Sequence, residues 1–205
     1  MIDFYAYATP NNRKVSIALE ELGLPYTVKV VDLTKGEQHK PEYLAINPNN
    51  KTPAILDHDV PGGLKVFESG AILVYLAEKT GRLMPSDAVR KAEVMEWLMF
   101  QMSGVGPMIA QLNYFSRTAS QRLPLAIERF QTETERLMRV LDKHLSSHDY
   151  LAREYSIADI AMYPFLVWGR QIFPELLTSR PGVIQWMERV GARPAVQRGM
   201  KVPNL

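Results

Sequence analysis

The 205-residue chain contains no cysteine, so neither a disulfide nor a protein thiol can take part in its chemistry. Sulfur chemistry would therefore need a thiol from outside the chain. The four histidines are scattered without the spacing of a metal site, and we predict no metal. Polar side chains lie near two predicted helix starts, among them Thr9, Asn11, Glu68 and Ser69, and could offer hydrogen bonds to a ligand. These residue types also serve as ordinary turn and N-cap residues.

The charge and hydropathy of the chain limit the kinds of molecule that it is expected to bind. The 24 Lys and Arg nearly balance the 22 Asp and Glu, and the formal charge of +2 gives no broad field for nucleic acid. The first residues lack the pattern of a signal peptide, and no apolar run approaches the ~20 residues of a membrane span. We therefore expect a cytoplasmic protein that binds neither nucleic acid nor membrane.

The first 81 residues alternate between strand and helix patterns. A β-prone segment at 2–7, a helical pattern ending at Gly23 and a β-branched run at 26–31 predict a β-α-β unit. Short strands at 54–56 and 65–67 flank a Pro-Gly-Gly turn and predict a hairpin, and a helix ending at Gly81 follows. This order is typical of a thioredoxin-like domain, predicted at 1–81.

The rest of the chain has only helical periodicity. After a linker at 82–88, apolar stripes predict long helices around 89–106 and 124–145, with a break at Gly104-Val105-Gly106-Pro107. A capping box at Ser156–Asp159 and a proline at 181 predict two more helix starts. The fold class is therefore α/β plus all-α, with an all-helical bundle domain at 89–205.

Several segments resemble the cytosolic glutathione S-transferases. They are the β-α-β opening, Asn47–Ile55, Phe67–Ile72, Ser156–Asp159 and Arg193–Val196. A Thr-Pro-Ala-Ile strand start followed about 15 residues later by Glu-Ser is the most specific pair. The segments Ala8–Asn11, Lys35–Gln38, Pro48–Lys51 and Ala126–Arg129 are similar to the bacterial Nu class, whose members reduce disulfides with glutathione.

The resemblance assigns most of a glutathione site. It implies a cis Thr52-Pro53 peptide whose Thr52 backbone pairs with the cysteinyl part of glutathione like an added strand. It places Ser69 and the first amides of its helix on the γ-glutamyl carboxylate, and Glu68 on the ammonium. Without the resemblance, a trans proline at a strand start and a simple N-cap would be the ordinary interpretations.

The assignment of the remaining binding residues also depends on the resemblance. Gln38 and Lys51 are expected at the glycine end of the tripeptide, although Lys51 is also compatible with a solvated surface lysine. Arg129 would reach a glutathione carboxylate across the dimer or at the domain cleft, or else be a surface cation. Tyr114 and Phe115 are predicted to form an apolar wall for the second substrate.

The glutathione sulfur needs hydrogen-bond donors. A free thiol with a pKa of about 8.5 is only slightly ionised at neutral pH. Thr9 and Asn11 can offer a hydroxyl, an amide NH₂ and backbone N–H groups at a positive helix end, and we predict them as the catalytic residues. Tyr5 and Tyr7 are the alternatives, because other classes of the superfamily use a tyrosine near this point.

The predicted activity is glutathione-dependent reduction of a disulfide, with glutathione as co-substrate and source of the attacking sulfur. The alternatives are conjugation of glutathione to a small electrophile and a non-catalytic ligand-binding role. The partners expected are glutathione, a small disulfide or electrophile, and a second copy of the chain in a homodimer.

Overall fold

The computed structural model describes residues 1–205, which form two compact units. The first contains Met1–Met84 together with Arg193–Leu205, and the second contains Pro85–Ala192. None of the helices combines the length and apolar character that a membrane crossing requires.

The first unit is built on a four-stranded sheet. Its strands are β1 (Ile2–Ala6), β2 (Tyr26–Val30), β3 (Ala54–Asp57) and β4 (Leu64–Phe67). The strand order is β2-β1-β3-β4, with β1 parallel to β2 and with β3 antiparallel to both β1 and β4. Ile2, Phe4 and Ala6 are buried at every second position of β1, as expected for a strand in a core.

Nine α-helices accompany the sheet. They are α1 (Pro10–Leu22), α2 (Pro41–Leu44), α3 (Ser69–Thr80), α4 (Ala88–Met99), α5 (Gly106–Asn113), α6 (Pro124–Leu145), α7 (Ile157–Ile172), α8 (Pro181–Gly191) and α9 (Pro194–Gly199). The predicted fold class, a thioredoxin-like domain plus a helical domain, is confirmed. Gly23 and Gly81 end α1 and α3 in the left-handed conformation, with φ of 66° and 64°.

The chain end differs from the predicted domain at 89–205. Residues Arg193–Leu205 belong to the first unit, because α9 packs directly on α1. Ser16 Oγ of α1 donates to the Gly199 carbonyl at 2.7 Å. A Cβ on Gly199 would lie 2.5 Å from the Ile17 Cα, so the two backbones approach too closely for a larger residue. The C-terminal segment therefore supports the helix whose N-terminus carries Thr9 and Asn11.

The predicted break at Gly104–Pro107 is wrong. The chain stays helical there, passing through a π-helical segment, Phe100–Val105, into α5. The Gly106 N–H donates to the Gln101 carbonyl five residues back. A Cβ on Gly106 would lie 2.8 Å from the Gln101 side chain, so this glycine is required for close packing. The wider turn accommodates the proline without ending the helix. A second π-helical segment, Tyr114–Thr118, follows α5.

Candidate functional site

The N-terminus of α1 presents the two residues predicted to act on sulfur. Thr9 precedes the helix with an extended backbone, and its carbonyl accepts hydrogen bonds from the N–H groups of Asn12 and Arg13, both at 3.1 Å. Its hydroxyl makes no cap hydrogen bond. Thr9 and Asn11 are both half-buried. The Thr9 hydroxyl therefore serves something other than the helix backbone.

Asn12 joins this helix end to the loop before β3. Its Nδ2 donates to Thr9 Oγ1 at 2.6 Å and to Thr52 Oγ1 at 2.9 Å. Asn12 has no exposed surface, and its Oδ1 is buried without a hydrogen-bond partner. Three side chains from two segments 40 residues apart thus form one polar cluster.

The Thr52-Pro53 peptide is cis, as the resemblance implies. The preceding carbonyl, of Lys51, accepts from the Tyr43 hydroxyl at 2.5 Å and from Asn47 Nδ2 at 2.6 Å. Tyr43 and Asn47 are almost fully buried. The loop that presents Thr52 is therefore held from beneath by two core side chains.

Glu68 and Ser69 lie where β4 passes into α3. Glu68 has a φ of 69°, a left-handed conformation that is costly for a residue with a Cβ and is typical of ligand-binding positions. Its Oε1 accepts from Asn49 Nδ2 at 3.2 Å. Ser69 is 3% exposed, and its Oγ lies 3.4 Å from Asn11 Oδ1. The starts of α1 and α3 therefore meet at one point, as the predicted site requires.

A buried cation lies close to this junction. Lys14, one helical turn after Asn11, is 1% exposed. Burial lowers the pKa of Lys14 to about 7, and the attraction of Glu68 opposes that shift. At neutral pH Lys14 is therefore only partly protonated, and Glu68 is the carboxylate that favours its charged form.

Gln38 and Lys51 lie on loops of the first unit. Gln38 is in a single 3₁₀ turn, Glu37–His39, and its Oε1 is buried without a hydrogen-bond partner. A donor from a ligand would satisfy that oxygen. Lys51 is exposed. Neither side chain is hydrogen-bonded to Thr9 or Asn11.

Tyr5 shows the features of a packing residue, and the backbone of Tyr7 takes part in the turn before α1. Tyr5 lies on β1, and its ring contacts that of Tyr43 at a centroid distance of 6.0 Å. Burial, reinforced by Asp3, raises the pKa of the Tyr5 hydroxyl. Tyr7 is half-buried, and its carbonyl accepts from the Thr9 N–H at 2.8 Å.

The second unit contains the remaining predicted residues. Tyr114 is 49% exposed and meets Phe115 edge to face at 5.1 Å. Phe115 stacks on Phe130 of α6 at 5.5 Å with an interplanar angle of 10°. Arg129, on α6, is exposed. An aromatic cluster therefore surrounds the second π-helical segment.

Two segments of the chain match a known protein family. Residues 2–78 match the glutathione S-transferase N-terminal domain, and residues 111–194 match the C-terminal domain. The chain belongs to the glutathione S-transferase family. It is 47% identical to the disulfide-bond oxidoreductase YfcG of Escherichia coli strain K12, over 98% of this chain and 94% of that protein.

Solved structures of glutathione transferases have the same overall fold as this chain. A Pseudomonas putida glutathione transferase, described with one glutathione disulfide bound per subunit, superposes with a TM-score of 0.94 at 41% identity, covering 98% of this chain and 91% of that one. A Burkholderia graminis glutathione transferase, described with two glutathione molecules per subunit, also has a TM-score of 0.94, at 42% identity and coverages of 99% and 88%.

Three residues that contact or act on the predicted positions were not anticipated from the sequence: Asn12, Lys14 and Asn49. The available signal was the Asn11-Asn12 pair followed by Lys14 in the first turns of a predicted amphipathic helix, where polar residues would have to face the sheet or α3. Asn49 belongs to a run of seven consecutive polar or proline positions, Asn47–Pro53, which gives no comparable pattern.

Proposed function

We propose that this chain is a glutathione-dependent disulfide-bond reductase. The observation that carries the proposal is a pair of polar contacts at the start of α1 in a chain without any cysteine. In one, Asn12 is hydrogen-bonded to Thr9 and Thr52, and in the other Ser69 is hydrogen-bonded to Asn11. Hydrogen-bond donors without a protein thiol suit the stabilisation of a thiolate that a co-substrate brings. The name of the Escherichia coli relative and the glutathione disulfide in the Pseudomonas putida structure support it.

The proposed reaction is two successive thiol–disulfide exchanges. A glutathione thiolate attacks one sulfur of the substrate disulfide, forming a mixed disulfide and releasing the first substrate thiolate, which takes up a proton. A second glutathione thiolate attacks the glutathione sulfur of the mixed disulfide and releases the second substrate thiol. Two glutathiones are thereby oxidised to glutathione disulfide, and the substrate gains two electrons and two protons. Reduced glutathione is supplied in the cytoplasm, where we place the protein.

We propose a role for each residue of the predicted site. Thr9 and Asn11 donate to the sulfur as catalytic residues, and the backbone of Thr52, set by Pro53, pairs with the cysteinyl group. Glu68 and Ser69 hold the γ-glutamyl end at the start of α3, where the helix dipole favours a carboxylate. In addition, the orphan Oε1 of Gln38 supports a role in accepting a donor from the ligand. Other proposed contacts are made by Lys51 and Arg129 to carboxylates, and by Tyr114 and Phe115 to the second substrate.

One comparison tests the activity. Turnover with glutathione is measured on 2-hydroxyethyl disulfide, coupled to glutathione reductase and NADPH, and on a chlorodinitrobenzene-type electrophile. We expect the disulfide to be the far better substrate. Efficient conjugation with negligible disulfide reduction would make the chain a conjugating transferase, and failure to bind glutathione in calorimetry with an intact fold would make it a non-catalytic member.

Ser69→Ala is expected to weaken glutathione binding by about 1 to 3 kcal/mol, because a carboxylate would lose a hydrogen-bond donor in a buried position. Titration calorimetry measures the dissociation constant. Ser147→Ala, at an exposed serine beyond α6, is the matched control. An unchanged dissociation constant for Ser69→Ala would show that this serine is structural only.

We also propose a symmetric homodimer formed through α4 and α6. Large apolar side chains are exposed on these helices, among them Val89, Met99 and Leu125. Such side chains favour burial against a second copy. Sedimentation equilibrium at micromolar concentration should give twice the chain mass of 23.3 kDa. A single-chain mass would contradict the dimer.

A further inference from the structure

The burial of Asn12 is expected to cost free energy, because one polar atom of its side chain has no hydrogen-bond partner. Asn12 is completely buried in the first turn of α1, and its amide oxygen has no donor. A buried polar atom without a partner is rare and destabilising. The other end of the same amide is fully used, since its two protons point to Thr9 Oγ1 at 2.6 Å and Thr52 Oγ1 at 2.9 Å. Asn12 therefore makes two hydrogen bonds to other side chains, while its own amide oxygen is left without one.

The direction of these hydrogen bonds determines what the Thr9 hydroxyl can do. A threonine hydroxyl has one proton and two lone pairs. Because Asn12 donates to Thr9 Oγ1, a lone pair is occupied and the proton remains for another acceptor. Accepting a hydrogen bond also polarises the hydroxyl and strengthens its own donation. An amide oxygen in the same place would instead take that proton.

The second contact fixes the relative position of two segments. Thr9 begins α1, and Thr52 precedes the cis proline before β3. Asn12 is the side chain to which both hydroxyls are hydrogen-bonded. A single amide therefore controls both the direction of the Thr9 proton and its distance from the Thr52 backbone.

We propose that Asn12 is a positioning residue that keeps the Thr9 hydroxyl oriented as a donor to the glutathione sulfur and holds Thr52 beside it. The proposal rests on the proposed function. Asn12 does not touch the sulfur; it acts through Thr9. Removing it should therefore matter most while the Thr9 hydroxyl is present, because without that hydroxyl only the contact with Thr52 remains to be lost.

A double-mutant cycle tests this dependence, using wild type, Asn12→Ala, Thr9→Val and the double variant. The thiol pKa of bound glutathione is read from thiolate absorbance in the far ultraviolet as a function of pH, and disulfide reduction is measured at neutral pH. Asn12→Ala should raise the bound thiol pKa by roughly half a unit to one unit and slow reduction about 3- to 10-fold. In the Thr9→Val background, which lacks the hydroxyl, the same change should have a clearly smaller effect, because only the contact with Thr52 is then lost.

Asn12→Asp provides a near-isosteric second variant. Its carboxylate would accept the hydroxyl protons, so reduction should be slower than in Asn12→Ala, and adding Thr9→Val should remove part of that loss. An unchanged thiol pKa in Asn12→Ala, or equal effects of Asn12→Ala with and without the Thr9 hydroxyl, would overturn the role of Asn12 alone. A wild type that binds no glutathione would overturn the proposed function, and this inference with it.

Discussion

Replacing Thr9 with alanine is expected to slow the reduction of a small disulfide about 5- to 30-fold at about pH 7, because one hydrogen bond to the thiolate contributes about 1 to 2 kcal/mol. Asn11→Ala should have an effect of the same size. Raising the pH toward the pKa of the free thiol, about 8.5, should partly restore both variants, because the thiol then ionises without help from the protein.

Three controls make the Thr9 result specific. Thr9→Ser keeps the hydroxyl and the Asn12 contact and should retain most of the activity. Tyr5→Phe and Tyr7→Phe should change the rate little, because Tyr5 packs on Tyr43 and burial holds its hydroxyl protonated by raising its pKa. A large loss on either tyrosine change, with Thr9→Ala near wild type, would reassign the chain to the tyrosine-type transferases.

Local patterns explain why the architecture could be predicted from the sequence. β1 is recognisable from its alternating apolar positions, and α1 and α3 from a helical spacing that ends at Gly23 and Gly81. Both patterns arise from interactions between residues that are close in sequence. The resemblance assigned Asn11, in the Ala8–Asn11 segment, and Ser69, in the Phe67–Ile72 segment, to one predicted glutathione site, and the structure brings their side chains within 3.4 Å. For these features the local and global requirements agree.

The features that could not be predicted depend on distant packing. Glycine is a residue type that often ends helices, so the sequence suggests a break at Gly106. Only the short distance between a Cβ at this position and the Gln101 side chain shows that the glycine permits close packing. Likewise, the Pro194–Gly199 helix joins the first unit because Ser16 and Gly199 meet across 183 residues. Asn12 looks like an ordinary first-turn residue until its contact with Thr52 is seen. None of these three contacts produces a periodic pattern in the neighbouring sequence.

Asp159→Ala is expected to produce the largest loss of stability of the changes considered, about 3 to 5 kcal/mol. The Asp159 carboxyl group is fully buried and accepts from the N–H groups of Leu151 and Ser156, both at 3.0 Å, and from Trp186 Nε1 at 2.8 Å. Alanine would leave all three donors buried without an acceptor and would remove half of the capping box at the start of α7.

Urea unfolding followed by tryptophan fluorescence measures this loss in the relevant part of the chain. All three tryptophans, Trp97, Trp168 and Trp186, belong to the second unit. Glu154→Ala, at an exposed acid nearby, is the control and should change the free energy of unfolding little. A loss below about 1 kcal/mol for Asp159→Ala would contradict the structural role of the carboxyl group.

The same carboxyl group should make the stability depend on pH. Burial raises the pKa of Asp159 to about 6, although the donors from Leu151, Trp186 and Ser156 act in the opposite direction. In the unfolded chain an aspartate titrates near about 3.9, so between about pH 4 and pH 6 the folded state binds more protons than the unfolded state. The pH-dependent part of the contribution of Asp159 to stability is therefore fully present below about pH 4 and is lost as the pH rises through about 6, whereas its hydrogen bonds contribute at every pH.

Asp159→Asn isolates this component, because the asparagine side chain does not titrate. The stability of wild type relative to Asp159→Asn should be about 1 to 3 kcal/mol more favourable at about pH 4 than at about pH 7, in the same urea unfolding measurement. Comparing the two proteins at each pH cancels the titration of every other group that they share. A difference that stays constant, or that moves in favour of wild type as the pH rises, would show that the hydrogen-bond donors outweigh burial and keep Asp159 ionised throughout.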